Sequence, residues 1–148
     1  MSGLKQRIND DVKTSMRNQD RERVAVLRMI MAAIKQKEVD ERIELDDGQV
    51  LAVLDKMAKQ HRDSIEQFNK AGRDDLVQKE NNELRVVLEF MPAQLTESEL
   101  EQMIQAAIDE TGAAGMKDMG KVMGILKPKV QGKADMGKVS TMVKQVLS

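Results

Sequence analysis

Apolar residues recur every three or four positions along most of the chain, which is the spacing of one buried face of an α-helix. In the first 92 residues this pattern predicts four helices. They begin at about Gly3, after the N-cap Asp20, at Asp46 and at about Asp75. The second helix is expected to fade into the charged segment 38–44, and the third to stop at Gly72.

The second half of the chain is set apart by Pro92, which follows the fourth apolar stripe and cannot continue a helix. Residues 91–95 are therefore predicted to form a short hinge. Thr96 and Glu99 then have the spacing of a capping box, which predicts the start of a fifth helix.

Two more helices are expected to start at Asp118 and Asp135, and Pro128 should bend or end the first of them. The whole pattern predicts an all-α protein with two domains. The N-terminal domain is a four-helix part over residues 1–92, and the C-terminal domain is a three-helix part over residues 93–148.

The amino-acid composition narrows the class of protein. Of the 148 residues, 33% are charged, and the formal net charge is −1. Cysteine is absent, which excludes disulfides, thiol nucleophiles and cysteine metal sites. The longest apolar stretch is too short to cross a bilayer, and residues 1–10 lack the apolar region of a signal peptide. We therefore expect a cytoplasmic protein with no membrane partner.

A five-residue repeat marks the last two predicted helices. The sequence Asp-Met-Gly-Lys-Val occupies positions 118–122 and recurs at positions 135–139. Each copy predicts a helix that is capped by its aspartate. Positive charge is concentrated in the same region, because residues 112–148 contain seven lysines and only two acidic residues, Asp118 and Asp135. This asymmetry indicates an anionic partner.

The lysines of this region are the candidate phosphate-binding residues. Free amides at a helix start also bind phosphate, but the capping aspartates would compete for those amides and repel an anion. We therefore expect side chains to make the phosphate contacts. The candidates are Lys117, Lys121, Lys127, Lys129, Lys133 and Lys138. The alternative is that they are ordinary solvated surface lysines.

Four glycines in this region lack the side chain that would keep another surface at a distance. These close-approach candidates are Gly120, Gly124, Gly132 and Gly137. The alternative for Gly120 and Gly124 is structural, since their spacing of four would allow two short helices of the protein to pack closely.

Few residues suggest chemistry of another kind. Phe68 and Phe90 are the only aromatic residues, so no platform for stacking unpaired bases is expected, and an RNA partner would be recognised through its folded backbone. His61 is the only histidine and would need partners to act as a general base or a metal ligand. It is predicted to be a packed, hydrogen-bonded residue. No catalytic residue, metal site or cofactor is predicted.

Several segments together resemble one known family. Residues 27–29 and 32–35 look like the second-helix signature of YqeY-like proteins, residues 64–68 and 71–73 resemble the end of the third helix, and residues 91–95 resemble the inter-domain hinge. The most specific segment is 117–124, followed by 132–135. It is similar to the C-terminal tail of the B subunit of the tRNA-dependent amidotransferase.

The resemblance implies an all-helical fold of two domains and a connection to tRNA, which the amidotransferase tail contacts. The resemblance does not extend to the catalytic domains of that enzyme. The family is associated by name with carbon–nitrogen ligases that use glutamine as amide donor, because of its relation to the amidotransferase. The chain itself is not expected to perform that reaction. The leading hypothesis is a tRNA-binding or tRNA-metabolism accessory protein.

Two alternatives remain open. The first is an adaptor that binds a protein of tRNA aminoacylation or amidation, such as an amidotransferase or a synthetase, through the N-terminal face around Arg28, Lys35 and Arg62. The second is an enzyme that aids amide transfer, which would require convergent polar groups around His61 in a pocket.

Overall fold

The computed structural model describes residues 2–148, which contain seven α-helices, one short 3₁₀ helix and no β-strand. The prediction of an all-α protein is confirmed. The helices are α1 (Gly3–Arg17), α2 (Arg21–Glu41), α3 (Asp47–Lys70), α4 (Asp74–Glu89), α5 (Glu97–Thr111), α6 (Met119–Val130) and α7 (Met136–Leu147), and the 3₁₀ helix is Met116–Asp118. None of the described helices combines the length and apolar character needed to span a membrane.

The backbone divides into two compact units between Met91 and Pro92. The first unit has an apolar core built from α1 to α4, in which Ile8, Leu27 and Leu54 are fully buried. The second unit has its own core, built from α5, α6 and α7. Each core is formed by the apolar stripes of its helices, because burying those stripes is the main favourable contribution to folding.

The ends of most helices follow from local side-chain chemistry. Asp20 accepts a hydrogen bond from the amide of Arg23 at the start of α2, as predicted. Thr96 and Glu99 form the predicted capping box at the start of α5, and Asp46 and Gln49 form another at the start of α3. Gly72, at a φ of 69°, follows the end of α3, where a residue without Cβ adopts the left-handed conformation freely.

Helix α2 ends within the charged segment 38–44, as predicted. This helix continues to Glu41 and ends at Arg42, which has a φ of 54°. The carboxylate of Glu38 accepts hydrogen bonds from Lys5 Nζ at 2.8 and 2.9 Å and from the Leu45 amide at 2.9 Å. These contacts hold the last turn in place although its sequence is highly charged.

Candidate nucleic-acid interface

The five-residue repeat produces two helices with equivalent buried faces. In α6 the buried residues are Val122, Leu126 and Val130. In α7 they are Val139, Val143 and Leu147, each seventeen positions after its counterpart. The repeat therefore encodes the same orientation of each helix against the core of residues 92–148. As a consequence, Lys138 has the same position relative to the buried stripe on α7 that Lys121 has on α6.

The two copies of the repeat begin their helices differently. Asp135 caps α7 as predicted, since its Oδ1 accepts a hydrogen bond from the Gly137 amide at 3.0 Å. Asp118 makes no capping hydrogen bond to α6, so that prediction is wrong. The 3₁₀ helix Met116–Asp118 precedes α6, and Asp118 Oδ2 accepts from the Ala114 amide at 3.0 Å instead. This hydrogen bond closes the loop that precedes α6.

All six candidate lysines lie on the surface of the second unit. Lys117 is in the 3₁₀ helix and Lys133 is in the loop before α7. The remaining four lie on helices and are also exposed: Lys121, Lys127, Lys129 and Lys138. Lys144 on α7 is a seventh exposed lysine, which the set of candidates omitted although it is the repeat counterpart of Lys127.

The charges of these lysines are almost entirely free for a partner. Lys121 Nζ lies 3.8 Å from Asp118 Oδ1, but its side chain is 71% exposed. An ion pair this exposed contributes little to stability, about 0–1 kcal/mol. Within residues 2–148 the other six lysines of α6, α7 and their connecting segments form no ion pair. Acidic side chains are concentrated on α5 in the same unit, where Glu97, Glu99, Glu101, Asp109 and Glu110 are exposed.

The outer face of α6 combines lysines with glycines. At about 100° per residue, Lys121, Lys127, Gly120 and Gly124 fall on the side away from the buried stripe of this helix. Both glycines are exposed. Added methyl groups at Gly120 and Gly124 would meet no atom within 4 Å apart from neighbouring backbone of the same segment. The structural alternative, in which two helices of the protein pack through these glycines, is therefore wrong. The surface at both glycines is open to solvent.

The other two glycines serve the backbone of the loop before α7. Gly132 is buried and has a φ of 79°, a conformation that other residues adopt only with strain. Its carbonyl accepts a hydrogen bond from Gln94 Nε2 at 3.0 Å, and the carbonyl of Lys133 accepts one from the Leu95 amide at 2.8 Å. Part of the segment predicted as a hinge thus anchors this loop. Gly137 is exposed in the first turn of α7.

A polar cluster in the first unit was not foreseen. His61 on α3 is 7% exposed, and its Nδ1 lies 2.6 Å from Glu80 Oε2 and 3.7 Å from Glu83 Oε2 on α4. The prediction that His61 is packed and hydrogen-bonded is confirmed, but neither glutamate was identified. The sequence contained a signal for this contact. His61 lies eleven residues before Gly72 and Glu83 lies eleven after it, so a helical hairpin that turns at Gly72 brings the two residues to the same level.

The face proposed for an adaptor contains a groove between α1 and α2. Arg28 lines it together with Met16, Val24 and Ala25, and the groove has a volume of about 330 Å³. Met16 is 52% exposed, and its sulfur lies 3.8 Å from Arg28 Nη2. Lys35, from the same predicted face, is exposed on α2.

Comparison with known proteins identifies relatives along nearly the whole chain. A family model described as Yqey-like protein matches residues 5–147. The chain is 38% identical over 87 residues to Altered inheritance of mitochondria protein 41, mitochondrial, of Eremothecium gossypii, which covers 58% of this chain and 48% of that protein. The Kluyveromyces lactis protein of the same name is 34% identical over 87 residues, covering 58% and 47%. The one from Pyrenophora tritici-repentis is 28% identical over 144 residues, covering 95% and 79%.

These relatives bear on the expected cellular location of the protein and on how much of its relatives' length the chain represents. The chain spans about half the length of the Eremothecium and Kluyveromyces proteins that it matches. All three relatives are named as mitochondrial proteins, so the expected cytoplasmic location is contradicted and the comparison points to mitochondria. The expectation failed because a missing apolar signal region argues only against secretion, whereas other segments direct import into organelles.

Proposed function

The chain belongs to the family of Yqey-like proteins, and on this basis we propose that it is an accessory protein that binds tRNA. Residues 93–148 act as the RNA-binding domain, and residues 1–92 act as a second domain that supports it or holds a protein partner. The RNA-binding domain resembles the tail of the B subunit of the tRNA-dependent amidotransferase, without the catalytic domains of that enzyme.

The observation that supports the proposal is the set of exposed lysines on α6, α7 and the adjoining segments, of which only Lys121 has an ion pair within the described residues 2–148. A phosphate backbone attracts such a surface because binding releases condensed counterions into the solvent. The glycines at the outer face of α6 support the proposal further. With no side chain to hold the partner away, the phosphates can approach the helix backbone between Lys121 and Lys127.

The absence of aromatic residues favours a folded RNA over a single strand. Residues 92–148 contain no Phe, Tyr or Trp, so unpaired bases have no ring to stack on in this unit. Phe90, in the first unit, is 3% exposed and belongs to the core. Recognition therefore rests on the shape and backbone of the RNA, as for a structured tRNA.

The direct test is filter binding of total tRNA to the purified protein at low and moderate salt. The variant replaces four lysines of the second unit by glutamate: Lys121, Lys127, Lys133 and Lys138. We expect at least about a tenfold loss of affinity at low salt, and a smaller dependence of affinity on salt, because fewer phosphates are neutralised.

The matched control replaces four exposed lysines of the first unit by glutamate: Lys13, Lys35, Lys56 and Lys79. It has the same net charge as the test variant, so it separates a local interface from general repulsion. The proposal is refuted by an absence of binding at low salt, or by equal losses in the two variants.

The adaptor hypothesis is favoured by a different observation, the partly apolar groove next to Arg28. A protein partner at this groove would be captured from nuclease-treated lysate by the wild type and lost with Arg28→Glu. Capture that requires intact RNA would instead support the tRNA hypothesis.

A further inference from the structure

Three groups that commonly bind metal ions converge between α3 and α4. His61 offers Nδ1, and Glu80 and Glu83 each offer a carboxylate oxygen. These ligand atoms all lie within 4.8 Å of one another. Imidazole and carboxylate together are typical ligands of divalent first-row transition metals.

The helical hairpin holds these groups in register. The connection between α3 and α4 is three residues long, so the helices run antiparallel and pack along their length. His61 and Glu83 lie at equal sequence distances from Gly72 in this connection, which places them at the same level of the hairpin. Glu80 is three residues before Glu83 and therefore projects from the same face of α4. Facing helices are a common scaffold for metal sites in helical bundles.

The charge balance of the cluster favours a cation. The side chains are only 9% (His61), 19% (Glu80) and 12% (Glu83) exposed. Within residues 2–148, the ion-pair contacts of both carboxylates are with the same imidazole. One imidazole carries at most one positive charge, so two ionised carboxylates leave the cluster negative. Excess charge that is largely removed from water is costly, and a divalent ion would compensate it.

We propose that His61, Glu80 and Glu83 bind a divalent transition-metal ion, for which Zn²⁺ is the best match. Zn²⁺ accepts nitrogen and oxygen ligands at about 2.0–2.2 Å in a tetrahedral arrangement, and a water molecule completes a site with three protein ligands. Binding through Nδ1 requires that this nitrogen carry no proton, so a proton on Nδ1 is released to solvent and the neutral ring keeps its N–H at Nε2. The carboxylate of Glu83 moves inward on its flexible side chain.

The chain is well suited to a decisive titration. His61 is the only histidine and there is no cysteine, so the imidazole signals in a nitrogen-15 NMR spectrum belong to one residue. The probe is ZnCl₂, added to tag-free full-length protein. We expect the His61 ring signals to shift with saturation at one equivalent. We also expect the melting temperature to rise by about 5 °C when free Zn²⁺ is ten times its dissociation constant.

Two variants remove one proposed ligand each, and a third serves as control. Glu80→Gln and Glu83→Gln keep the size of the side chain but remove its charge, and each is expected to weaken Zn²⁺ binding at least tenfold. Glu66→Gln is the control, because Glu66 is an exposed residue of α3 that pairs with Lys70. It should bind Zn²⁺ as the wild type does.

The site is disproved if the His61 ring signals do not respond to Zn²⁺, or if both glutamine variants respond as the wild type does. If Glu80→Gln fails to fold, Glu83→Gln alone still tests the site. Glu83 makes no short hydrogen bond to His61, at 3.7 Å, so its loss leaves the 2.6 Å contact to Glu80 in place.

Discussion

Arg23 donates two hydrogen bonds to the carboxylate of Asp11, one from Nε at 3.0 Å and one from Nη2 at 2.7 Å. The same guanidinium donates from Nη1 to Glu89 Oε2 at 2.6 Å. One side chain of α2 therefore joins α1 and α4. A planar guanidinium suits this arrangement because it donates to two carboxylates at once in a fixed geometry.

The first prediction concerns pH. The hydrogen bonds from Arg23 hold the pKa of Asp11 below its ordinary value. The stability due to this pair is therefore complete above the ordinary aspartate pKa of about 4, and it is lost as the pH falls through the lowered folded value. Asp11→Asn should cost about 1–2 kcal/mol at pH 7, and the difference from wild type should shrink below about pH 4. Urea unfolding at several pH values measures it.

The control for this experiment is Asp10→Asn. Asp10 is exposed and accepts a hydrogen bond from Gln6 Nε2, which the side-chain oxygen of asparagine can also accept. Its effect on the free energy of unfolding should stay within about 0.5 kcal/mol. An Asp11→Asn difference that persists unchanged into acid would contradict the role of the ionised carboxylate.

The second prediction compares two glycines of the second unit. Gly124→Ala should stabilise the protein by about 0.5–1 kcal/mol, because it lies within α6 and an added methyl group meets only open space. Gly132→Ala should destabilise by at least about 1 kcal/mol, because Gly132 has a φ of 79°. Thermal unfolding gives the sign of each change. If Gly124→Ala is stable yet binds tRNA more weakly, close approach of the RNA to α6 is supported.

The third prediction concerns the charge beside Lys121. Asp118→Asn removes a negative charge 3.8 Å from Lys121 Nζ and retains an oxygen that can accept the hydrogen bond from Ala114. Affinity for tRNA should rise about two- to fivefold at low salt, and the gain should fade as salt screens the interaction. The gain should also vanish when Lys121 is already alanine. A loss of affinity in Asp118→Asn would exclude Lys121 as a phosphate contact.

The fourth prediction tests whether the two units are separate domains. Leu126 is 1% exposed in the core of the second unit, so Leu126→Ala should cost about 2–5 kcal/mol. Hydrogen exchange should then accelerate in α5, α6 and α7, while the amides of α3 remain protected. Leu54→Ala, in the core of the first unit, should give the opposite pattern. Uniform acceleration along the chain in either variant would show that the units unfold as one.

Local sequence signals predicted the helices because the groups involved are neighbours in the chain. An N-cap needs a side chain and an amide two or three residues apart, and Asp20, Asp46 and Thr96 all provide this. Even so, five identical residues led to different contacts at Asp118 and Asp135. The amide of Ala114, four positions before Asp118, donates to that aspartate, whereas the amide of Gln131, four positions before Asp135, donates to the carbonyl of Lys127.

The amino-acid sequence was sufficient to establish the all-α class, the concentration of lysines after residue 112 and the absence of cysteine, because these depend on composition and short-range periodicity. It did not show that Glu80 and Glu83 meet His61, or that Arg23 joins three helices. Those contacts connect residues between 12 and 66 positions apart. They exist because buried stripes fix the register of one helix against another, which no local pattern specifies.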